Sequence, residues 1–103
     1  MIHVLAFITA KPGKRTDILQ VFLKNVPAVL AEEGCISYEA VVDVPDFGAV
    51  KTPTGPDSFV VVEKWASGDA LKAHAASAHM VEYVKTVAPW LEKRVIHVLE
   101  AAE

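Results

Sequence analysis

Residues 58–83, SFVVVEKWASGDALKAHAASAHMVEY, decide the fold, because a strand pattern passes here directly into two short helical patterns. Over Phe59–Ala66 side chains alternate faces with period two, so Phe59, Val61, Glu63 and Trp65 share one face and Val60, Val62 and Lys64 the other. A carboxylate and an indole therefore sit together on an otherwise apolar face. Ser67 is a helix N-cap, Asp69 places negative charge in the first turn, and Leu71, His74 and Ala75 recur at helical spacing. Ala76-Ser77 interrupts the pattern, and Ser77 caps a second helical piece through His79, Met80, Tyr83, Val84 and Val87 that Pro89 ends. Arg94–Leu99 alternates again as a last strand.

Upstream, Ile2–Ala10 is β-branched and apolar and stops at the turn signal Lys11-Pro12-Gly13. Ile18, Val21, Phe22, Val26, Val29 and Leu30 then recur at three and four, a long amphipathic helix. Pro27 inside it predicts a kink or a fresh start, and Gly34 after Glu32-Glu33 a left-handed C-terminus. Ile36–Val44 reads as a second strand with Ile36, Tyr38, Ala40 and Val42 on one face and Asp43 on the other. Val44–Asp57 carries three prolines and two glycines, so it predicts an exposed excursion: an arm over a partner subunit, a flap over a site, or a tolerated insertion. The order strand, helix, strand, strand, helix, strand is the split βαβ pattern of an α+β, ferredoxin-like fold, an antiparallel sheet with its helices on one face. The open face needs a cover, and pairing two such faces gives a dimeric α/β barrel.

The chain of 103 residues predicts one domain, 1–103, able to bury a core without disulfides. Its apolar fraction of 52% is surplus for so small a unit and points to a homodimer. The ten Lys and Arg residues are scattered and the net charge is -3, which gives no footprint for nucleic acid or an anionic membrane. No run approaches the length of a membrane span and no signal peptide is evident, so the cytoplasm is the expected compartment. Cys35 stands alone and is assigned no role.

Neither GxGxxG after a strand nor GxxxxGK[ST] is present, so no nucleotide cofactor is expected. His74 and His79 are five apart, about 140° of rotation on a continuous helix, and make no i, i+4 metal pair, although a break at Ser77 could turn them toward each other. No metal site is expected. The groups left for chemistry are a histidine able to change charge near neutral pH, a carboxylate, an indole, two tyrosines and hydrocarbon. Glu63 needs a partner if its face is buried, a histidine or a backbone amide. His74 and Trp65 each also fit a purely structural role in a core, and His79 a local capping role.

Val26-Pro27-Ala28-Val29-Leu30-Ala31-Glu32-Glu33-Gly34-Cys35, then Tyr38, Val42-Asp43, Pro56-Asp57-Ser58, Glu63-x-Trp65-x-Ser67, Leu71-x-Ala73-His74 and His79-Met80-x-x-Tyr83 resemble the antibiotic biosynthesis monooxygenase family, and within it the small bacterial quinol monooxygenases. The resemblance spans nearly the whole chain. It implies a dimeric ferredoxin-like barrel that oxidises a small aromatic substrate, a quinol or polycyclic phenol, with dioxygen and without flavin, haem or metal. On that basis His74 is the expected base, His79 a second hydrogen-bonding group, and Glu63 the carboxylate orienting one of them. Trp65, Tyr38, Met80 and Tyr83 are expected to form the slot for the ring. Polyketide-tailoring relatives use an asparagine where this chain has Val61, which argues against anthrone-type substrates. The asparagine, tryptophan and histidine of haem-degrading relatives fall at Ala6, His74 and Val84, which argues against haem breakdown. Two rivals stand beside this reading: an isomerase of small phosphorylated diketones, which would need cations such as Lys51, Lys64 or Lys72 at the pocket mouth, and a non-catalytic dimer that binds a hydrophobic ligand.

Overall fold

The structure, a computed structural model, describes residues 1–103. Four strands, β1 (Ile2–Ala10), β2 (Cys35–Val41), β3 (Ser58–Trp65) and β4 (Leu91–Leu99), form one antiparallel sheet in the order β2-β3-β1-β4. Helices α1 (Arg15–Leu30), α2 (Gly68–Ala76) and α3 (Ala78–Val87) supply the remaining layer, and a 3₁₀ turn at Ala88–Trp90 leads into β4. This is the α+β ferredoxin-like architecture expected from the element order.

The core lies between the helices and one sheet face. Val4, Ala6, Ile8 and Ala10 of β1 and Phe59, Val61 and Trp65 of β3 are buried there with Ile18, Phe22 and Val29 of α1. Phe22 stacks on Tyr38 at 5.1 Å and meets Phe59 edge-on at 6.1 Å, joining α1 to β2 and β3. The opposite sheet face carries no helix. Phe7 on that face is 41% exposed and its ring meets His97 edge-on across the β1–β4 pair.

Four local expectations are corrected. α1 runs through Pro27 as one helix rather than starting afresh there. The carbonyl that loses its donor belongs to Leu23, and both Leu23 and Pro27 are exposed, so the helix tolerates the proline where solvent can reach the freed carbonyl. β2 ends at Val41 rather than Val44, because Asp43 leaves the sheet to accept hydrogen bonds from the backbone N–H groups of Thr54, at 2.8 Å, and Gly55, at 3.0 Å, closing the base of the 44–57 excursion. Ile36 does not share the Tyr38 face: an irregularity between Cys35 and Ser37 places Cys35 opposite Trp65 and leaves Ile36 52% exposed. β4 begins at Leu91 rather than Arg94, because a register shift between Thr9 and Ala10 lets Ala10 pair with Leu91.

The excursion itself is exposed as expected, with Phe47 and Val50 at its tip 64% and 84% accessible.

Candidate active site

Two serines fix where the helices start, and the second one builds the site. Ser67 Oγ accepts from Ala70 N at 3.1 Å and starts α2. Ser77 adopts an extended conformation between α2 and α3, accepts from Met80 N at 3.4 Å and donates to the His74 carbonyl at 2.7 Å. It therefore closes one helix and opens the next. The roughly 140° that would separate His74 from His79 on a continuous helix is removed by this break.

The residue on which the two histidines converge comes from α1. Glu32, just past the helix end, places Oε2 2.8 Å from His74 Nδ1 and 2.7 Å from His79 Nε2. Gly34 brings this corner close enough. At φ +83° it takes a conformation disfavoured for other residues, and a Cβ there would lie 2.6 Å from Ala70 Cβ on α2. Its carbonyl also accepts from Ala66 N at 2.8 Å. The α1–β2 corner is thus pinned to the β3–α2 corner, with Glu32 aimed at both imidazoles.

The hydrogen bonds set the tautomers. A carboxylate only accepts, so the proton of neutral His74 sits on Nδ1 and its Nε2 keeps a lone pair. Ser77 spends its hydroxyl proton on the His74 carbonyl, so its 3.3 Å contact with His79 is donated by Nε2–H. His74 is 5% exposed, packed on Trp65 at a ring separation of 4.6 Å and edge-on to Tyr38 at 5.5 Å. Its Nε2 has no hydrogen-bond partner, yet no buried polar side-chain atom in the chain is unpartnered, so this nitrogen is open to the cavity that His74 lines.

That cavity, of about 370 Å³, lies between the sheet and the α2–α3 pair. Its walls are mainly aliphatic, from Val4, Ala6, Ile8, Val61, Ile96 and Val98, with Tyr38, Met80 and Tyr83 among them. Three of the four residues expected to form the ring slot are therefore present. Trp65 is fully buried and stands behind His74 rather than in the wall. Lys72 and Arg94 are the cations at the cavity, whereas Lys51 and Lys64 lie elsewhere. His79 also faces away, into a shallow groove with Lys24, Asn25 and Glu82 on the outer side of α1 and α3.

Glu63 is 7% exposed and lines the cavity, and its partner is the indole: Trp65 Nε1–H donates to Oε1 at 2.9 Å. It hydrogen-bonds neither histidine. Burial pushes its carboxyl above the usual carboxylate range, opposed by the indole N–H and by the nearby His74. Burial also pushes the Tyr83 phenol up to about 12 and the Tyr38 phenol higher still, so both are neutral hydrogen-bonding groups near pH 7. The carboxylate that holds the histidines, Glu32, was missed in the sequence as a site residue. One signal was available: an acidic side chain at a helix C-terminus opposes the helix dipole and needs a reason to be there.

A ferredoxin-like domain with a cavity under its helices, and an imidazole in that cavity backed by a carboxylate, defines a class of small-molecule site. The family follows from the sequence: residues 1–86 match the model of the antibiotic biosynthesis monooxygenase family, and the chain belongs to that family. It is 40% identical over 89 residues to the probable quinol monooxygenase YgiN of Escherichia coli, covering 84% of this chain and 85% of that one. YcnE of Bacillus subtilis is 32% identical over 84 residues, covering 82% of this chain and 79% of its own. A solved structure from Nitrosomonas europaea superposes over 100% of both chains with a TM-score of 0.83 at 20% identity, which supports the fold.

Proposed function

We propose that the chain is a cofactor-independent monooxygenase that oxidises a quinol or related phenol with dioxygen. The observation that carries this reading is the cavity-facing Nε2 of His74, held as a proton acceptor by the Nδ1–Glu32 hydrogen bond within an apolar pocket. Such a reaction asks the protein to bind a ring, remove a phenolic proton and exclude water. An aliphatic cavity with Tyr38, Met80 and Tyr83 in its wall suits the ring. His74 takes the phenolic proton. The resulting quinolate is electron-rich enough to pass an electron to dioxygen, and the radical pair combines at a ring carbon. The hydroperoxide so formed receives the proton back from His74 and loses water.

The atoms balance without an outside reductant: quinol and dioxygen give hydroxyquinone and water. In this scheme Glu63 offers the substrate's second hydroxyl its Oε2, the oxygen that Trp65 does not hold. Glu32 is a positioning residue, and His79 steadies it from the outer side. Homodimerisation through the uncovered sheet face accompanies this proposal, because Val41, Phe7 and Leu99 on that face are 38%, 41% and 43% exposed. Equilibrium sedimentation reads it directly.

The test is oxygen uptake with chemically reduced menadiol, superoxide dismutase being present to stop autoxidation chains. Uptake proportional to wild-type protein and lost in His74→Ala is expected. Uptake no faster than the protein-free control with menadiol and with a polycyclic quinol would sink the reading. Lys72 and Arg94 at the cavity favour one second reading, isomerisation of a small phosphorylated diketone by His74 without dioxygen. Proton exchange at the carbon between the carbonyls, measured by NMR in anaerobic buffer, distinguishes it.

A further inference from the structure

Glu32, His74 and His79 bring three potential metal-ligating atoms, Oε2, Nδ1 and Nε2, within 4.8 Å of one another. The three come from separate elements: the end of α1, the last turn of α2 and the first turn of α3. Two imidazoles and one carboxylate are a donor set for zinc-class first-row cations; magnesium and calcium prefer all-oxygen shells. The arrangement is held by structure outside the cluster, namely the Ser77 break, the Gly34 corner and the packing of His74 on Trp65. A tetrahedral cation holds its donors ~3.4 Å apart, so binding requires the two ring nitrogens, within 4.8 Å of each other, to settle at that separation and the Glu32 oxygen to draw back by roughly 0.6 to 0.7 Å from each imidazole. Its side chain is 14% exposed and that of His79 30%, which leaves room for this movement and for a water as fourth ligand on the outer side.

We propose that Glu32, His74 and His79 bind one zinc-class divalent cation, and that its binding turns the cavity-facing nitrogen of His74 from a proton acceptor into a donor. The second half follows from imidazole chemistry. A cation at Nδ1 uses the lone pair there, so the single proton of neutral His74 must move to Nε2. His79 likewise moves its proton from Nε2 to Nδ1 to free its ligating lone pair, so no proton is gained or lost overall. The nitrogen open to the cavity then carries hydrogen and cannot take one from a bound phenol. The cation itself would lie behind the His74 ring: neither Glu32 nor His79 lines the cavity, so the metal has no approach to a substrate held there. The site is therefore an inhibitory switch rather than an oxygen-activating centre. Its effect on turnover rests on the quinol reading above, whereas the binding and the tautomer change do not.

The experiment is a titration of chelator-treated protein with Co²⁺, followed by displacement with Zn²⁺. One Co²⁺ per chain, with the intense visible d–d bands of four-coordinate cobalt that bleach on adding Zn²⁺, is expected. Glu32→Gln and His79→Ala should each lose the bands and weaken binding at least ~100-fold. A His3→Ala/His97→Ala double variant, which spares the cluster, should retain them; circular dichroism and melting confirm that each variant is folded. Long-range ¹H–¹⁵N spectra of the histidine rings should show His74 protonated on Nδ1 without metal and on Nε2 with Zn²⁺. Absence of the bands in wild type, or their persistence in folded Glu32→Gln, overturns the site. Zn²⁺ binding that leaves the His74 proton on Nδ1 overturns the switch. If the quinol reading is right, Zn²⁺ abolishes oxygen uptake and a chelator restores it. If metal-free protein consumes no oxygen with any quinol, that reading fails while cobalt bands and tautomer still decide this one.

Discussion

Two carboxylates sit at the heart of this molecule and are held in opposite ways. Glu63 is fixed by its own strand: Trp65, two residues on, presents its indole N–H to the same face, and the 2.9 Å bond closes within β3. Glu32 is fixed by distant chain, through His74 and His79, 42 and 47 residues away, and makes no local side-chain bond. Strand periodicity alone produces the first pair. The second exists only after two corners of the fold have docked and a helix has been broken at Ser77. The difference separates what each carboxylate can do: Glu63 has a neutral donor and is costly to ionise, whereas Glu32 faces two groups that can carry positive charge.

The largest effect belongs to the imidazole served by Glu32. His74→Ala should lower kcat for quinol-dependent oxygen uptake by ~10²–10⁴ with little change in KM, since the aliphatic walls that hold the ring remain. An unchanged kcat would break the assignment of roles between the two carboxylates. Next is Gly34→Ala, which places a methyl group 2.6 Å from Ala70 Cβ at a positive φ. It should cost ~2–3 kcal/mol in chemical denaturation and weaken activity as well, because the corner carrying Glu32 must move. A variant as stable as wild type would show that the corner is looser than the Gly34–Ala70 approach implies. Glu32→Gln comes third, with an expected ~10–100-fold fall in kcat: the amide removes the charge opposite the imidazolium, and its NH₂ group favours the wrong His74 tautomer. Retained activity would reduce Glu32 to a structural role.

Most of the fold was legible for the reason Glu63–Trp65 was. The alternation in β1 and β3, the stripe of α1 and the caps Ser67 and Ser77 are local signals, and each became the element it predicted. The misreadings were places where a contact across the fold overrides a local rule. Ile36 fits the Tyr38 face by period two until the β2–β3 register slips at Cys35–Ser37. Val42–Val44 looks like strand until Asp43 is claimed by Thr54 and Gly55. In the cavity, Tyr38, Met80, Tyr83 and His74 were found from residue type and the family resemblance together. Glu32 was read only as the end of a helix, since nothing within its own turn of chain reveals that two imidazoles converge on it. The same gap led to a tryptophan in the expected slot that in fact supports the histidine from behind.

The smallest effect sharpens the comparison from the Glu63 side. Burial raises the Glu63 carboxyl in the folded chain above its unfolded value, so the folded protein binds this proton more tightly. The sign follows by linkage: unfolding releases the proton at pH values between the two ionisations, and stability falls as pH rises through that interval. Below the ordinary carboxylate value the group is protonated in both states and costs nothing. Above the raised value the full cost of an ionised buried carboxylate is present. Glu63→Gln keeps an oxygen to accept from Trp65 Nε1 but has no charge to bury. It should melt higher than wild type at pH 8 and converge with it as the pH is lowered below 4. Glu32→Gln should show no such gain at pH 8, because that charge faces two imidazole donors and its removal weakens bonds to both. Melting curves of the two variants across this range decide whether the carboxylates differ as their partners indicate: parallel behaviour would mean that burial, rather than the identity of the partner, governs both.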